Sequence, residues 1–105
     1  MALTEFNGSI VSSAVEQNLF DVTALKHYAT TIFTHNMLAG DEVEIKIYKL
    51  DSNAAVMRVY RTTSIKDAQS DPAFFIPFLP AAQYRVTIKR LAGTDRTYTW
   101  NRYEQ

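Results

Sequence analysis

Arg96, Tyr98, Trp100 and Arg102 occupy alternate positions of one segment near the C-terminus. In a β-strand such residues share a face. Aromatic rings flanked by guanidinium groups can stack nucleic-acid bases or sugars, and Arg90 stands close by across the turn Ala92-Gly93-Thr94-Asp95. The same pattern has a structural use, in which Tyr98 and Trp100 fill a core while both arginines reach water from the strand ends. The structural use is favoured, because Tyr84, Val86 and Ile88 offer a matching apolar face, Val86 opposite Trp100 and Ile88 opposite Tyr98. Burial of Trp100 decides between the two.

Other chemistry is sparse. His27 and His35 are the only histidines, and on one strand they would stand roughly 27 Å apart, too far to share a metal. His35 with Asp41 across the Gly40 turn is the one local pairing with metal-ligand character. Glu42 and Glu44 alternate along a strand with lysines beside them, the pattern of a solvated face and not of an acid/base couple. With three glycines and no cysteine, the chain has no phosphate-cradling loop, thiolate zinc site, disulfide or cysteine nucleophile. A serine elbow and an HExxH pair are also absent. The expectation is a protein that is not an enzyme and holds no cofactor.

The element best specified by the sequence is a hairpin over Glu42–Arg61. Val43, Ile45 and Ile47 alternate with Glu42, Glu44, Lys46 and Tyr48, the period of a half-buried strand, and Asp51-Ser52-Asn53 is turn chemistry. Leu50 facing Ala54 would set Ile47 opposite Met57, Ile45 opposite Val59 and Glu44 opposite Tyr60. A slip of one residue would turn the apolar row outward. The core is therefore expected at Val43, Ile45, Ile47, Met57 and Val59. On the outer face this register opposes Lys46 to Arg58, two like charges that invite a partner's carboxylate.

Around the hairpin the chain reads as further short strands. Residues 1–8 form an arm ending at the Asn7-Gly8 turn, and Ser9–Ser13 is a short strand. Ser13–Glu16 has a capping-box pattern, but the alternation of Phe20, Val22 and Ala24 favours a strand over Leu19–Ala24. His27–His35 is a strand rich in threonine and aromatics. Thr62–Ile65 continues the hairpin, Lys66–Pro72 is a loop, and Gln83–Leu91 pairs with Arg96–Tyr103. Phe74–Pro80 is the most apolar run, with Pro77 placing it at a sheet edge. Phe75 and Phe78 are expected in the core, leaving Phe74 or Leu79 to a neighbouring subunit. Tyr103, near the end of the last strand, is free to join a neighbour's sheet edge.

These segments describe one domain over residues 1–105, an antiparallel β-sandwich of jelly-roll or Ig-like kind with about seven or eight strands and little helix. An apolar share of 47% is too high for disorder, and the chain is long enough for one core without staples. Neither a signal peptide nor a transmembrane run is legible, which points to a virion or cytoplasmic protein without membrane contact. Net charge is zero, but residues 1–52 carry seven acids against three bases and residues 53–105 eight bases against four acids. Either copies meet head to tail, or a basic face is aimed at an anionic partner, or strands from both halves interleave and mix the charges.

The segments Leu19-Phe20-Asp21-Val22-Thr23, Ile32-Phe33-Thr34-His35-Asn36, Leu38-Ala39-Gly40-Asp41, Tyr84-Arg85-Val86-Thr87-Ile88 and Thr97-Tyr98-Thr99-Trp100 together span most of the chain. In this layout it resembles small all-β structural proteins of virus particles, such as capsid decoration or head–tail components. The resemblance implies a structural protein present in many copies, binding a capsid or tail protein or its own kind. A glycan- or nucleic-acid-binding module using Tyr98, Trp100 and the flanking arginines is the second expectation. The candidate interaction residues are thus Lys46, Arg58, Phe74, Leu79, Arg96, Tyr98, Trp100, Arg102 and Tyr103.

Overall fold

The structure is a computed structural model that describes residues 3–51 and 56–105. Within them the chain is all β: β1 (Thr4–Val11), β2 (Gln17–Phe33), β3 (Glu42–Leu50), β4 (Arg58–Lys66), β5 (Ala73–Ala92) and β6 (Thr97–Glu104). They form a single antiparallel sheet in the order β1-β6-β2-β5-β3-β4. Six strands replace the expected seven or eight, and one sheet replaces two separate ones. The count falls because neighbouring segments fuse. Leu19–Ala24 and His27–His35 become one 17-residue β2, and Phe74–Pro80 runs into Gln83–Leu91 as the 20-residue β5.

The two long strands pair with each other throughout but bend, with register shifts at Thr23/Lys26 and Tyr28/Thr30. Such bulges increase local twist and turn a strand aside. Phe20 and Ile32 are twelve residues apart on β2, a separation of about 40 Å on a straight strand. Yet the Phe20 ring lies 4.9 Å from that of Trp100, whose backbone partner is Ile32. The sheet therefore curls over, and its two ends cover each other's inner face. Tyr28, Ile32, Ile76, Leu79 and Tyr98 from one end meet Val43, Ile45, Ile47, Tyr84, Val86 and Ile88 from the other, all buried in one cluster. Pro77 sits at the Tyr28/Thr30 shift, on the half of β5 that β3 does not reach, where no ladder N–H is missed.

Three expectations of register are corrected. In the β3–β4 hairpin Ile45 faces Thr63, Ile47 faces Arg61 and Lys46 faces Thr62, four residues further along than expected. An even slip leaves the same face buried, so burial determines which side of β3 is inside but not what lies opposite it. Val43, Ile45 and Ile47 are core; Val59 is 48% exposed, and β4 contributes Ile65 instead. Lys46 and Arg58 are not opposed, and Arg58 faces Lys49. The tip with Ser52, Asn53 and Ala54 lies outside the described residues.

The expected β5–β6 hairpin is also absent. Val86 pairs with Phe20 and Ile47, while β6 lies between β1 and β2. From Gln83 onward β5 has β2 on one side and β3 on the other, so the chain crosses to the far side of β2.

Gly8, finally, is not in a turn but mid-strand in β1, directly opposite Trp100. The indole covers the bare backbone: a Cβ there would sit 2.6 Å from Trp100 Cζ2. Gly8→Ala is expected to cost about 1–3 kcal/mol through overpacking, read as a lower urea midpoint with altered Trp100 fluorescence.

Candidate interaction surface

The arginine–aromatic row of β6 points inward. Tyr98 is fully buried, Trp100 packs against the core, and Arg102 is only 7% exposed. The Arg102 guanidinium lies over three rings, at 4.3 Å from Phe6, 4.9 Å from Phe20 and 5.9 Å from Trp100. Its Nε donates to Glu104 Oε2 at 2.8 Å, and Lys26 Nζ donates to Glu104 Oε1 at 2.9 Å. Burial alone would raise the Glu104 pKa, but the hydrogen bonds from Lys26 and Arg102 outweigh it and hold the carboxyl below its ordinary value. Arg102 does not reach water from the strand end, and the stacking face expected for bases or sugars is interior. Glu104 had a legible signal, since it shares Arg102's parity two residues on. Lys26 had none, because only the pairing of β2 with β6, Tyr28 opposite Glu104, brings it there.

Arg96 reaches a different acid. Asp41, buried between the Gly40 and Gly93 turns, accepts from Arg96 Nε at 2.6 Å, Leu38 N–H at 2.9 Å and Thr94 N–H at 3.1 Å. Gly93 has φ +85° and leaves no room for a side chain against Asp41. The Arg96 bond, followed by the two backbone bonds, lowers the Asp41 pKa to about 2. Asp41 is thereby committed to Arg96 and the backbone instead of a metal with His35. Among the described residues no three His, Asp or Glu side chains gather as metal ligands. An unfolded aspartate titrates near about 3.9, so this contribution to stability is complete above that value and is lost as pH falls towards about 2. Urea midpoints of the wild type should drop through this window, and those of Asp41→Asn should drop less.

The two outer faces differ in kind. Where β2, β5, β3 and β4 run together, the outward side chains are charged and cross-linked. Arg85 Nη2 holds Asp21 Oδ2 at 2.9 Å, and Glu44 stands opposite Lys89 and Glu42 opposite Lys66. Glu16 accepts from Thr87 at 2.5 Å and Tyr48 at 2.6 Å, which lowers its pKa. Acids of the first half thus meet bases of the second, so the charge imbalance along the chain is mixed in space. Lys46 belongs here, with Nζ 3.8 Å from Glu44.

The opposite outer face is built by β1, β6, the second half of β2 and the first half of β5. Its ladder rows run Glu5–Tyr103–Ala29, Asn7–Asn101–Thr31–Phe75 and Ser9–Thr99–Phe33–Ala73. Glu5 is the single formal charge in these rows. Phe75 is 50% and Phe78 42% exposed beside half-buried Tyr103. This reverses the expectation for residues 74–79. Ile76 and Leu79 are core, so Leu79 is closed to a neighbour, and Phe74 is half-buried under Arg61 at 5.3 Å. The register shift opposite Pro77 brings residues three apart onto one face, which strict alternation does not allow.

Curled sheet and two-sided surface define an all-β protein whose described residues form six antiparallel strands, with one charged and one neutral, aromatic outer face. Compared with family models, with curated proteins and with solved structures, the chain matches none. No helix among the described residues is long and apolar enough to cross a membrane.

Proposed function

We propose that the protein is a non-enzymatic assembly unit, a sandwich-like block that docks through its neutral aromatic face onto another protein. The resemblance to virus-particle proteins suggests the setting, a capsid or tail component bearing many copies. The observation that carries the reading is the contrast between the outer faces. Half-exposed phenylalanines on a nearly charge-free sheet face are the apolar core of a contact surface, whereas the opposite face is satisfied by its own ion pairs. Tyr103 adds a ring with a polar tip at the same place. The second reading, glycan or nucleic-acid stacking on Tyr98 and Trp100, is not favoured, because those rings face inward.

Co-sedimentation with the large particles of the native source tests this. The wild type should pellet with them, and the Phe75→Asp, Phe78→Asp double variant should remain in the supernatant with its thermal unfolding unchanged. Failure of the wild type to bind any such particle, or binding that both substitutions leave intact, would remove the proposal.

A further inference from the structure

Two strands, β1 and β4, end the strand order, and they differ. β4 carries Arg58, Arg61 and Lys66 with no acid, and a bulge interrupts its ladder near Tyr60. Basic residues and bulges are the devices that keep an edge from pairing with another chain. β1 has neither device. Its eight residues hold one charge, Glu5, and its ladder to β6 runs without a register shift. Phe6 and Val11 are exposed along it.

Which backbone groups of β1 are unpaired follows from two hydrogen bonds. Ser12 N–H donates to the Arg96 carbonyl at 2.9 Å, while His27 and Gln105 exchange both their bonds, at 3.0 and 2.9 Å. Backbone groups alternate sides along an antiparallel strand. Even-numbered β6 residues therefore face β1 and odd-numbered ones face β2, and in β1 the even-numbered residues are spent on β6. The N–H and C=O groups of Glu5, Asn7, Ser9 and Val11 point away from the sheet.

We propose that this edge joins a second copy of the chain, β1 against β1, with Gly8 opposite Gly8 across a two-fold axis. The step rests on the assembly reading and names one of its partners. In this register all four outward residues find partners, Glu5 with Val11 and Asn7 with Ser9, and no charge meets its like. On the inner face Phe6 comes opposite Ile10, so the apolar side chains bracket the glycine pair. Isologous pairing of this kind closes after two copies and leaves Phe75, Phe78 and Tyr103 on the outer faces, free for docking.

Light scattering after size exclusion at sub-millimolar concentration should give twice the chain mass of 12.0 kDa. Ser9→Pro removes an outward N–H without touching the β6 ladder and should give the single-chain mass with the near-UV signal of Trp100 preserved. Amide exchange supplies a readout that needs no variant: Asn7, Ser9 and Val11 should be protected at high concentration and lose that protection on dilution. The Phe75→Asp, Phe78→Asp variant should remain a dimer, so loss of particle binding and loss of pairing are separable. A single-chain mass at every concentration, a mass that grows without limit, or a dimer in which those three amides exchange freely would overturn the pairing.

Discussion

Glu104→Leu is expected to destabilise the fold by about 3 kcal/mol. Glu104 is the anionic partner of Arg102, and both side chains are nearly enclosed, at 9% and 7% exposure. Removing the carboxylate leaves a guanidinium among Phe6, Phe20 and Trp100 with no counter-charge. The rings supply some attraction for the cation but not the hydrogen-bond acceptor that its Nε requires. The lower end of the usual range for breaking a buried pair applies, because the site opens towards solvent at Lys26. Arg102→Met combined with Glu104→Leu should recover most of the loss, since an apolar pair of similar volume has no charge to strand. Urea unfolding of the two single variants and the double variant, analysed as a cycle, checks this. A double variant as unstable as Glu104→Leu would mean that Arg102 acts through its packing and not its charge.

The second large effect lies at Tyr84. Its ring stacks on Tyr28 at 4.8 Å with planes 4° apart and on Phe20 at 5.6 Å, and its hydroxyl lies 2.8 Å from Thr30 Oγ1. Tyr84→Ala should cost about 3–5 kcal/mol by opening a cavity under the curl of the sheet. Tyr84→Phe should cost about 1–3 kcal/mol, because it keeps the stack and strands the buried Thr30 hydroxyl. Tyr98→Phe is the comparison: the Tyr98 hydroxyl is buried without a partner among the described residues, so its removal should cost little or nothing. Burial pushes the Tyr84 hydroxyl up to about 12. An unfolded tyrosine ionises near about 10, so the stability that Tyr84 contributes is complete below that pH and lost as pH rises through about 12. Tyr84→Phe should therefore unfold less steeply in alkali than the wild type, with a residual slope from Tyr28 and Tyr98, which burial also raises.

What was legible in the chain follows a clear line. Alternation identified the strands and, within β3, the buried row Val43, Ile45 and Ile47, because side-chain direction in a strand is a local property with period two. It also put Arg96, Tyr98, Trp100 and Arg102 on one side of β6. It failed at residues 74–79, where Phe75 and Phe78 were expected inside. A register shift opposite Pro77 breaks the period there; the proline marks an edge or a bulge without saying which.

Strand neighbours were beyond local reading. Tyr84–Ile88 and Tyr98–Trp100 match as well in size and parity as Val86 and Ile47 do, so pattern alone paired β5 with β6. Only the competition for edges, with β2 and β3 holding both sides of the second half of β5, sends β6 to the far side of β2. The same non-local packing turned the aromatic–arginine row from a prospective binding face into the interior. Phe20 and Lys26, which meet Arg102 and Glu104, lie 82 and 78 residues earlier in the chain. Composition and alternation were enough to make this an all-β chain with a specified inner row. The order of the strands, the neutral outer face and the unguarded edge of β1 depend on where a long sheet bends, which is set by the packing of distant segments.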